Sequence, residues 1–285
     1  MEKIAIVMDS TAYLPDELTK ELNIRTVYLN IVIDGNSYKE VIDMPLDKYY
    51  DYLKDSNNSF PTTSQPAIGE VVSCLEKLKE EGYTDVIAIA LSSGISGTFS
   101  SYSVADLMVD GINVHPFDSE VACHPEGYYA IKAAGLIKEG KSSKEIIATL
   151  DEMKKVSKAY FMADDLSHLQ RSGRLNGAQA IVGNLLQVKP LLHFEDKVIV
   201  PFQKIRTYKK VVLRIYELFD EFYRQHKDEN ISVCILHVDA LEKAEEIKNY
   251  MKEVYPNVNV EIDAITPVVS THLGIGAIGF AWTIL

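Results

Sequence analysis

The most constraining feature of this sequence is an apolar run that stops at a cluster of hydroxyls and glycines. Residues 86–91 are apolar, Ser-Ser-Gly-Ile-Ser-Gly follows at 92–97, and a helical pattern begins near Thr98. A strand that feeds a Gly/Ser loop at a helix start presents backbone N–H groups and the positive end of the helix dipole. The segment therefore predicts either an anion site or an ordinary strand-to-helix turn capped by Ser96.

Strand and helix patterns alternate along the first half of the chain, which indicates a mainly parallel sheet covered by helices. The second half reads as a smaller mixed sheet with helices. We therefore predict an α/β protein of two α/β domains. Residues 1–158 form the domain with the hydroxyl-rich loops, and residues 159–285 form the second. Asp34-Gly35 predicts a hairpin turn.

Composition narrows the classes of function. The chain has 285 residues, 47% of them hydrophobic, and a formal net charge of -12, which disfavours nucleic acid as a partner. The N-terminal residues lack the pattern of a signal peptide, and the three cysteines show no paired metal spacing. We expect a cytoplasmic protein without a metal or cofactor.

A second hydroxyl cluster, Pro-Thr-Thr-Ser-Gln-Pro at 61–66, precedes a helical pattern. Ser64 suits the N-cap of that helix. Thr62 and Thr63 have no comparable capping role, so either could face a cleft. Hydroxyls donate hydrogen bonds without adding charge, and a buried carboxylate needs such partners. The two clusters together are therefore suited to holding a carboxylate.

Familiar catalytic patterns fit this sequence poorly. The Gly/Ser loop lacks the lysine of a phosphate-binding P-loop, and Gly94-Ile95-Ser96-Gly97-Thr98 misses the second glycine of a Gly-x-Ser-x-Gly elbow by one position. A serine hydrolase remains open only on that near match. A Gly-x-Gly-x-x-Gly pattern at 274–279 has too few residues after it for a dinucleotide site, so we interpret it as close-packed backbone.

Three further side chains could have either a structural or a functional role. His272 lies in an apolar, Gly-rich segment, where it is either a satisfied core residue or a donor facing the hydroxyl clusters. Arg171 and Arg174 precede a predicted small-residue apolar helix at 176–188. They either form surface pairs or belong to a pocket lid or a membrane-contacting edge.

Seven motifs, in order along the chain, resemble the DegV family, which includes the fatty-acid-binding subunits of bacterial fatty acid kinase. The motifs are Asp-Ser-Thr-Ala-Tyr-Leu-Pro at 9–15, Pro-Thr-Thr-Ser-Gln-Pro at 61–66, Leu-Ser-Ser-Gly-Ile-Ser-Gly-Thr at 91–98, Asp-Ser at 118–119, Leu-Gln-Arg-Ser-Gly-Arg at 169–174, Lys-Pro-Leu-Leu at 189–192 and His-Leu-Gly-Ile-Gly at 272–276.

The resemblance implies two α/β domains around a buried acyl chain. It implies a carboxylate held by Thr62 or Thr63 and by Ser93, with Ser96 as a further candidate and His272 near the head group. Arg174 matches an arginine implicated in membrane and partner contact, although Ser172-Gly173-Arg174 departs mildly from the family's frequent Gly-Gly-Arg.

The resemblance also implies that the chain is a carrier without a catalytic centre of its own. Its partners would be a long-chain fatty acid, an ATP-dependent fatty acid kinase subunit that phosphorylates the carboxylate to an acyl phosphate for phospholipid synthesis, and a transient membrane surface. The alternative is a serine-dependent acyl esterase or thioesterase, which would use Ser93 or Ser96 with His272 as the base.

Overall fold

The computed structural model describes residues 2–175 and 189–285. Its first sheet has four parallel strands in the order β2-β1-β6-β7. The strands are β1 (Ile4–Asp9), β2 (Ile24–Val27), β6 (Asp85–Ala90) and β7 (Asn113–Asp118). All six residues of β1 and all six of β6 are buried. Parallel strands buried on both faces are the arrangement that the strand and helix alternation predicts.

Helices cover both faces of this sheet, and the side chains of β1 show how the faces divide. Ile6 and Met8 pack on one face and Ala5 and Val7 on the other, because successive side chains point to opposite sides of a strand. The first face packs against α5 (His124–Lys138) and α6 (Ser143–Val156), and the second against α3 (Ile68–Glu80) and α4 (Thr98–Asp106). The short helix α1 (Asp16–Glu21) follows β1.

A small antiparallel sheet in the order β4-β3-β5 stands beside the first sheet. Its strands are β3 (Asn30–Ile33), β4 (Asn36–Lys39) and β5 (Thr62–Ser64), and α2 (Leu46–Lys54) lies between β4 and β5 in the chain. Asp34 and Gly35 both have positive φ, so the predicted hairpin turn is confirmed. The segment 61–66 reads as a loop in the sequence, but its centre pairs with β3 as a strand.

The mixed sheet expected in the second half is present, but with six strands, in the order β10-β9-β8-β13-β11-β12, it is larger than the four-stranded first sheet. Only β11 and β12 run parallel. The strands are β8 (Lys158–Met162), β9 (Lys189–Glu195), β10 (Val198–Ile205), β11 (Ile231–His237), β12 (Asn259–Ala264) and β13 (Ile278–Ile284). The helices are α7 (Ser167–Arg171), α8 (Tyr208–His226), α9 (Leu241–Val254) and α10 (Pro267–Leu273).

The two faces of the second sheet have different partners. Val233 and Ile235 of β11 pack with α8 and α9. Cys234 and Leu236 point to the other face and belong to the same apolar cluster as Ile6 and Met8 of β1. The second sheet therefore closes the core of the first half. The division at 158/159 falls at the start of β8 and stays a prediction.

The apolar helix predicted at 176–188 lies outside the described residues. None of the helices in the described parts of the chain combines the length and apolar composition needed to cross a bilayer.

Candidate functional site

A cavity of about 380 Å³ lies where the small sheet, the Gly/Ser loop, α10 and the second sheet meet. Most of its wall is apolar and buried, with Leu29, Leu91, Leu236, Ile265 and Phe280 as examples. At one end the wall becomes polar. The polar lining residues are Thr63, Ser64, Gln65, Ser96, Arg174 and His272. Ser64 and Gln65 are exposed, so the polar end reaches the surface.

The register of β5 decides which of its two threonines faces the cavity. Thr63 pairs with Ile31, which is fully buried, and residues opposite each other on antiparallel strands point to the same side. Thr63 therefore points inward and lines the cavity, while Thr62 is exposed on the other side.

Thr63 is hydrogen bonded to His272, with 2.9 Å between Thr63 Oγ1 and His272 Nε2. Burial, together with the nearby positive charge of Arg174, lowers the pKa of His272 to about 3. The imidazole is therefore neutral. Its Nδ1 is buried and has no hydrogen-bond partner among the described residues. A neutral imidazole carries one proton, and an N–H without an acceptor would be the costlier choice at this buried atom. We therefore assign the proton to Nε2, which makes His272 the donor to Thr63.

Buried polar contacts fix α10, the helix that carries His272. Glu40 Oε2 accepts a hydrogen bond from the Val268 amide at 2.9 Å, and the Ser10 hydroxyl donates to the other oxygen of Glu40. Burial raises the pKa of Glu40 to about 7. On the next turn Thr271 donates to the Pro267 carbonyl, so the Tyr49 hydroxyl is the donor in its 2.5 Å contact with Thr271. These contacts hold α10 against the small sheet and α2.

A buried carboxylate at the end of β1, that of Asp9, binds the backbone where the Gly/Ser loop begins. Asp9 Oδ2 accepts the Leu91 amide at 2.8 Å, and Asp9 Oδ1 accepts both the amide and the hydroxyl of Thr11. The same Thr11 hydroxyl lies 2.9 Å from Glu126 Oε2, and one hydroxyl has one proton to donate. Glu126 must then supply the proton of that contact. In agreement, burial and the charge of Asp9 raise the pKa of Glu126 well above its usual value.

Ser93 faces Asp118 and is not among the residues that line the cavity. Its hydroxyl donates to Asp118 Oδ2 at 2.5 Å, and its amide donates to Oδ1 at 3.1 Å. Lys197 Nζ lies 3.0 Å from the same carboxylate. Burial alone would raise the pKa of Asp118, but the bonds from Ser93 and Lys197 outweigh burial and hold it below its usual value.

The loop also touches the second half of the chain through its backbone. Ser92 donates its hydroxyl proton to the Lys197 carbonyl at 2.6 Å. A Cβ atom on Gly94 would lie 2.2 Å from that carbonyl oxygen, and one on Gly97 would lie 1.8 Å from Gln65 Oε1. Gly94 is therefore required by the close approach of backbone, whereas at Gly97 the exposed Gln65 side chain could move aside. Ser96 lines the cavity, and its hydroxyl lies 2.9 Å from that of Thr98.

The two arginines at the turn after α7 have different surroundings. Arg174 lines the cavity and donates from Nε to the Ile95 carbonyl at 3.3 Å, so it joins the second half of the chain to the Gly/Ser loop. Arg171 is exposed, and its guanidinium lies 4.4 Å from the ring centroid of Phe60. Both lie near the polar end, but only Arg174 reaches the cavity wall.

Among the described residues of this site, none of the serine hydroxyls is paired with an imidazole. The hydroxyls of Ser92, Ser93 and Ser96 contact a carbonyl, a carboxylate and another hydroxyl, whereas His272 contacts Thr63. An esterase would need one of these serines beside the imidazole. Within residues 2–175 and 189–285, no three His, Cys, Asp or Glu side chains are grouped as metal ligands.

Comparison with known proteins gives the family. The family model described as "Uncharacterised protein, DegV family" matches residues 3–284. The chain belongs to the DegV family. Protein DegV of Bacillus subtilis (strain 168) is 50% identical over 280 residues, which are 98% of each chain. A DegV domain-containing protein of Listeria innocua serovar 6a is 47% identical over 283 residues, 99% of each chain.

Solved structures of DegV proteins share the whole fold. The crystal structure of DegV, a fatty acid binding protein from Bacillus subtilis, has 48% sequence identity and a TM-score of 0.94, and both chains are covered completely. A fatty acid binding DegV family protein from Streptococcus agalactiae has 32% identity and a TM-score of 0.92, again with both chains covered completely. Fatty acid is thus the ligand named for both of these structures.

Sequence reasoning missed part of the cavity wall. Gly279 and Ala281 of β13 and Ala159 of β8 line the cavity, and Ala281 pairs with Ala159. Small residues at alternate positions of one strand leave space on one face, because side chains alternate across a sheet. The alternation at 279 and 281 was the available signal, but the pairing with Ala159 is not local in the sequence.

Proposed function

We propose that this DegV-family chain binds a long-chain fatty acid in the 380 Å³ cavity, with its alkyl chain along the apolar wall and its carboxylate at the polar end. The observation that carries the proposal is a largely buried apolar cavity that becomes polar only at the end beside Thr63 and His272. Its volume falls within the range of small-ligand sites. The fatty-acid-binding relatives of the same fold support this choice of ligand.

The alkyl chain supplies the affinity, and the polar end supplies the orientation. Each buried methylene contributes about 0.8 kcal/mol, so ten contribute on the order of 8 kcal/mol before ordering costs. A carboxylate in a buried site needs hydrogen-bond donors. With the His272 Nε2 proton donated to Thr63 Oγ1, the Thr63 hydroxyl proton is free to be donated to the ligand carboxylate.

The remaining candidates take distinct roles in this proposal. Ser96 is a second hydroxyl for the carboxylate, and the positive charge of Arg174 favours an anion at this end. Ser93 holds the loop through Asp118 instead of touching the ligand. Thr62, which is exposed, has no contact with the ligand.

The finer proposal is that the chain presents the carboxylate to a separate ATP-dependent kinase and has no catalytic centre of its own. The kinase would transfer the terminal phosphoryl group of ATP to the carboxylate, giving an acyl phosphate and ADP, and the acyl phosphate would enter phospholipid synthesis. Support comes from the family resemblance and from the exposure of Ser64 and Gln65 at the polar end. As part of the same proposal the protein is cytoplasmic, and Arg171 and Arg174 lie at the edge that meets the kinase or a membrane.

Organic extraction of the purified protein followed by mass spectrometry tests the ligand. We expect a long-chain fatty acid at close to one molecule per chain. Failure to recover one, together with no binding when oleate is titrated into delipidated protein, would refute the proposal. Incubation of the loaded protein with a fatty acid kinase subunit and ATP tests the finer step, for which the expected product is an acyl phosphate. Turnover of acyl esters by the chain alone would instead indicate the esterase.

A further inference from the structure

A second cavity, of about 330 Å³, lies beside the first at the edge where β8 begins. Its wall is more polar and includes Lys154, Ser157 and Lys158 near the start of β8, with His193 and Lys197 from the other side. The proposed function leaves this cavity without a role.

The two cavities share three lining residues, namely Ala159, Tyr160 and Phe194. They meet where the described pairing of β8 with β9 ends. Strands β8 and β9 pair only at Tyr160–His193 and Phe161–Leu192. In an antiparallel ladder the next pair would be Ala159 with Phe194, but this pair is absent from the described register. The described pairing of β8 with β9 therefore ends at two of the residues that the two cavities share.

Of the three shared residues, only Phe194 has a large side chain on the face of the sheet that lines the 380 Å³ cavity. Ala159 contributes a methyl group. The Tyr160 ring packs on the opposite face of the sheet, with centroid distances of 5.1 Å to Phe202 and 5.4 Å to Trp282. Phe194 packs against the same apolar cluster as the cavity wall, with its ring centroid 5.8 Å from that of Phe161.

We propose that the Phe194 ring closes the 380 Å³ cavity, hereafter the acyl cavity, on the side of the second cavity, and so sets the longest chain that the protein accepts. This inference rests on the proposed function. A methylene that adds to the buried length tightens binding by about fourfold. A methylene that must pass the ring gains nothing, because it either displaces Phe194 or enters a space lined by ammonium groups and imidazole. The affinity series should therefore stop rising at a definite chain length.

Phe194→Ala would vacate the space that the ring now fills among the apolar side chains of the wall, and so lengthen the apolar path by the size of the ring. The matched control is Phe202→Ala, because Phe202 lines the second cavity and not the first. Delipidated wild type and both variants are titrated with saturated acids from about 12 to about 22 carbons, in steps of two. Native mass spectrometry of mixtures gives the preference directly.

We expect the preferred length of Phe194→Ala to increase by at least two carbons, with a gain of roughly tenfold for the first acid beyond the wild-type limit. Phe202→Ala should keep the wild-type preference. Should the alanine variant fail to fold, Phe194→Leu removes the ring while keeping an apolar side chain, and should shift the preference in the same direction. A folded variant with the wild-type length profile would overturn the inference alone. Wild type that binds no acid of any length would overturn the proposed function first.

Discussion

Thr63 and His272 are 209 residues apart in the chain, and their side chains are hydrogen bonded at the polar end of an otherwise apolar cavity. One belongs to the three-residue strand β5 and the other to α10. Because the contact joins two separate parts of the fold, the polar end exists only in the folded chain.

Replacing Thr63 by Val should weaken fatty-acid binding. The isosteric change removes one hydrogen bond to a charged group, worth roughly 1.5–3 kcal/mol, or roughly ten- to one-hundred-fold in affinity. Thr62→Val is the matched control, since the neighbouring side chain is exposed. Displacement of a fluorescent fatty acid measures both. Equal losses in the two variants would contradict the inward orientation of Thr63.

The histidine that joins α5 to β12 should make stability depend on pH. His124 lies 3.0 Å from Asp263 Oδ2 and 3.2 Å from Glu261 Oε2. Burial alone would lower its pKa, but these two carboxylates raise it from 6.5 to about 9. The stabilisation is fully present below the unfolded pKa and is lost as pH rises through about 9.

His124→Gln should therefore lower the free energy of unfolding by roughly 1–3 kcal/mol near pH 6 and by much less above pH 9. Urea titrations across this range measure the difference. The surface pair His226–Glu229 supplies a control, since His226→Gln should change stability little. A His124→Gln deficit that stays constant over the range would count against the bridge.

Glu126 should behave in the opposite manner to an ordinary carboxylate. Its pKa is raised in the folded chain, so folding retains a proton that the unfolded chain releases above pH 4.5. Wild-type stability is then reduced by up to about 1.4 kcal/mol per pH unit above that value, until pH reaches the folded pKa.

The substitution Glu126→Gln keeps an N–H donor for Thr11 and removes the titratable group. Relative to wild type, Glu126→Gln should therefore gain stability as pH rises from about 5 to about 8. Glu126→Ala, which lacks the donor and leaves a cavity, should be less stable throughout. Chemical denaturation at several pH values distinguishes the two variants. If the difference in free energy of unfolding between wild type and Glu126→Gln did not change with pH, Glu126 would be ionised in the folded chain.

Gly94→Ala tests the contact between the Gly/Ser loop and the β9–β10 turn. The added Cβ would lie 2.2 Å from the Lys197 carbonyl oxygen, so the loop or the turn must move, at a cost of about 1–3 kcal/mol. Gly69→Ala in α3 has no atom within 4 Å of the new methyl. It should leave stability unchanged or raise it by up to about 1 kcal/mol. Thermal unfolding of the two variants is the measurement, and equal melting temperatures would refute the contact.

Local patterns were enough to predict the alternating strands and helices of the first half and the Asp34-Gly35 hairpin, because these elements depend on neighbouring residues, and the alternation in turn implied a parallel sheet. The polar end of the cavity depended on more distant pairings. Thr63 could not be distinguished from Thr62 until the register with Ile31 was known. Likewise, the sequence gives Ser93 the same expected role as Thr63, because both belong to hydroxyl clusters. In the folded chain Asp118, on the adjacent strand, accepts the Ser93 hydrogen bond instead. Arg174 reaches the cavity only because the second half of the chain folds back onto the Gly/Ser loop.

The central position of β13 has a consequence for synthesis of the protein. This strand lies between β8 and β11, and its residues 279–281 form part of the cavity wall. While a ribosome is still adding residues before 278, β8 and β11 have no strand between them, and the inner faces that they later share stay uncovered. Such non-local pairing forms late and leaves apolar surface exposed in the meantime. The wall of the cavity is therefore completed only after β13 has been made.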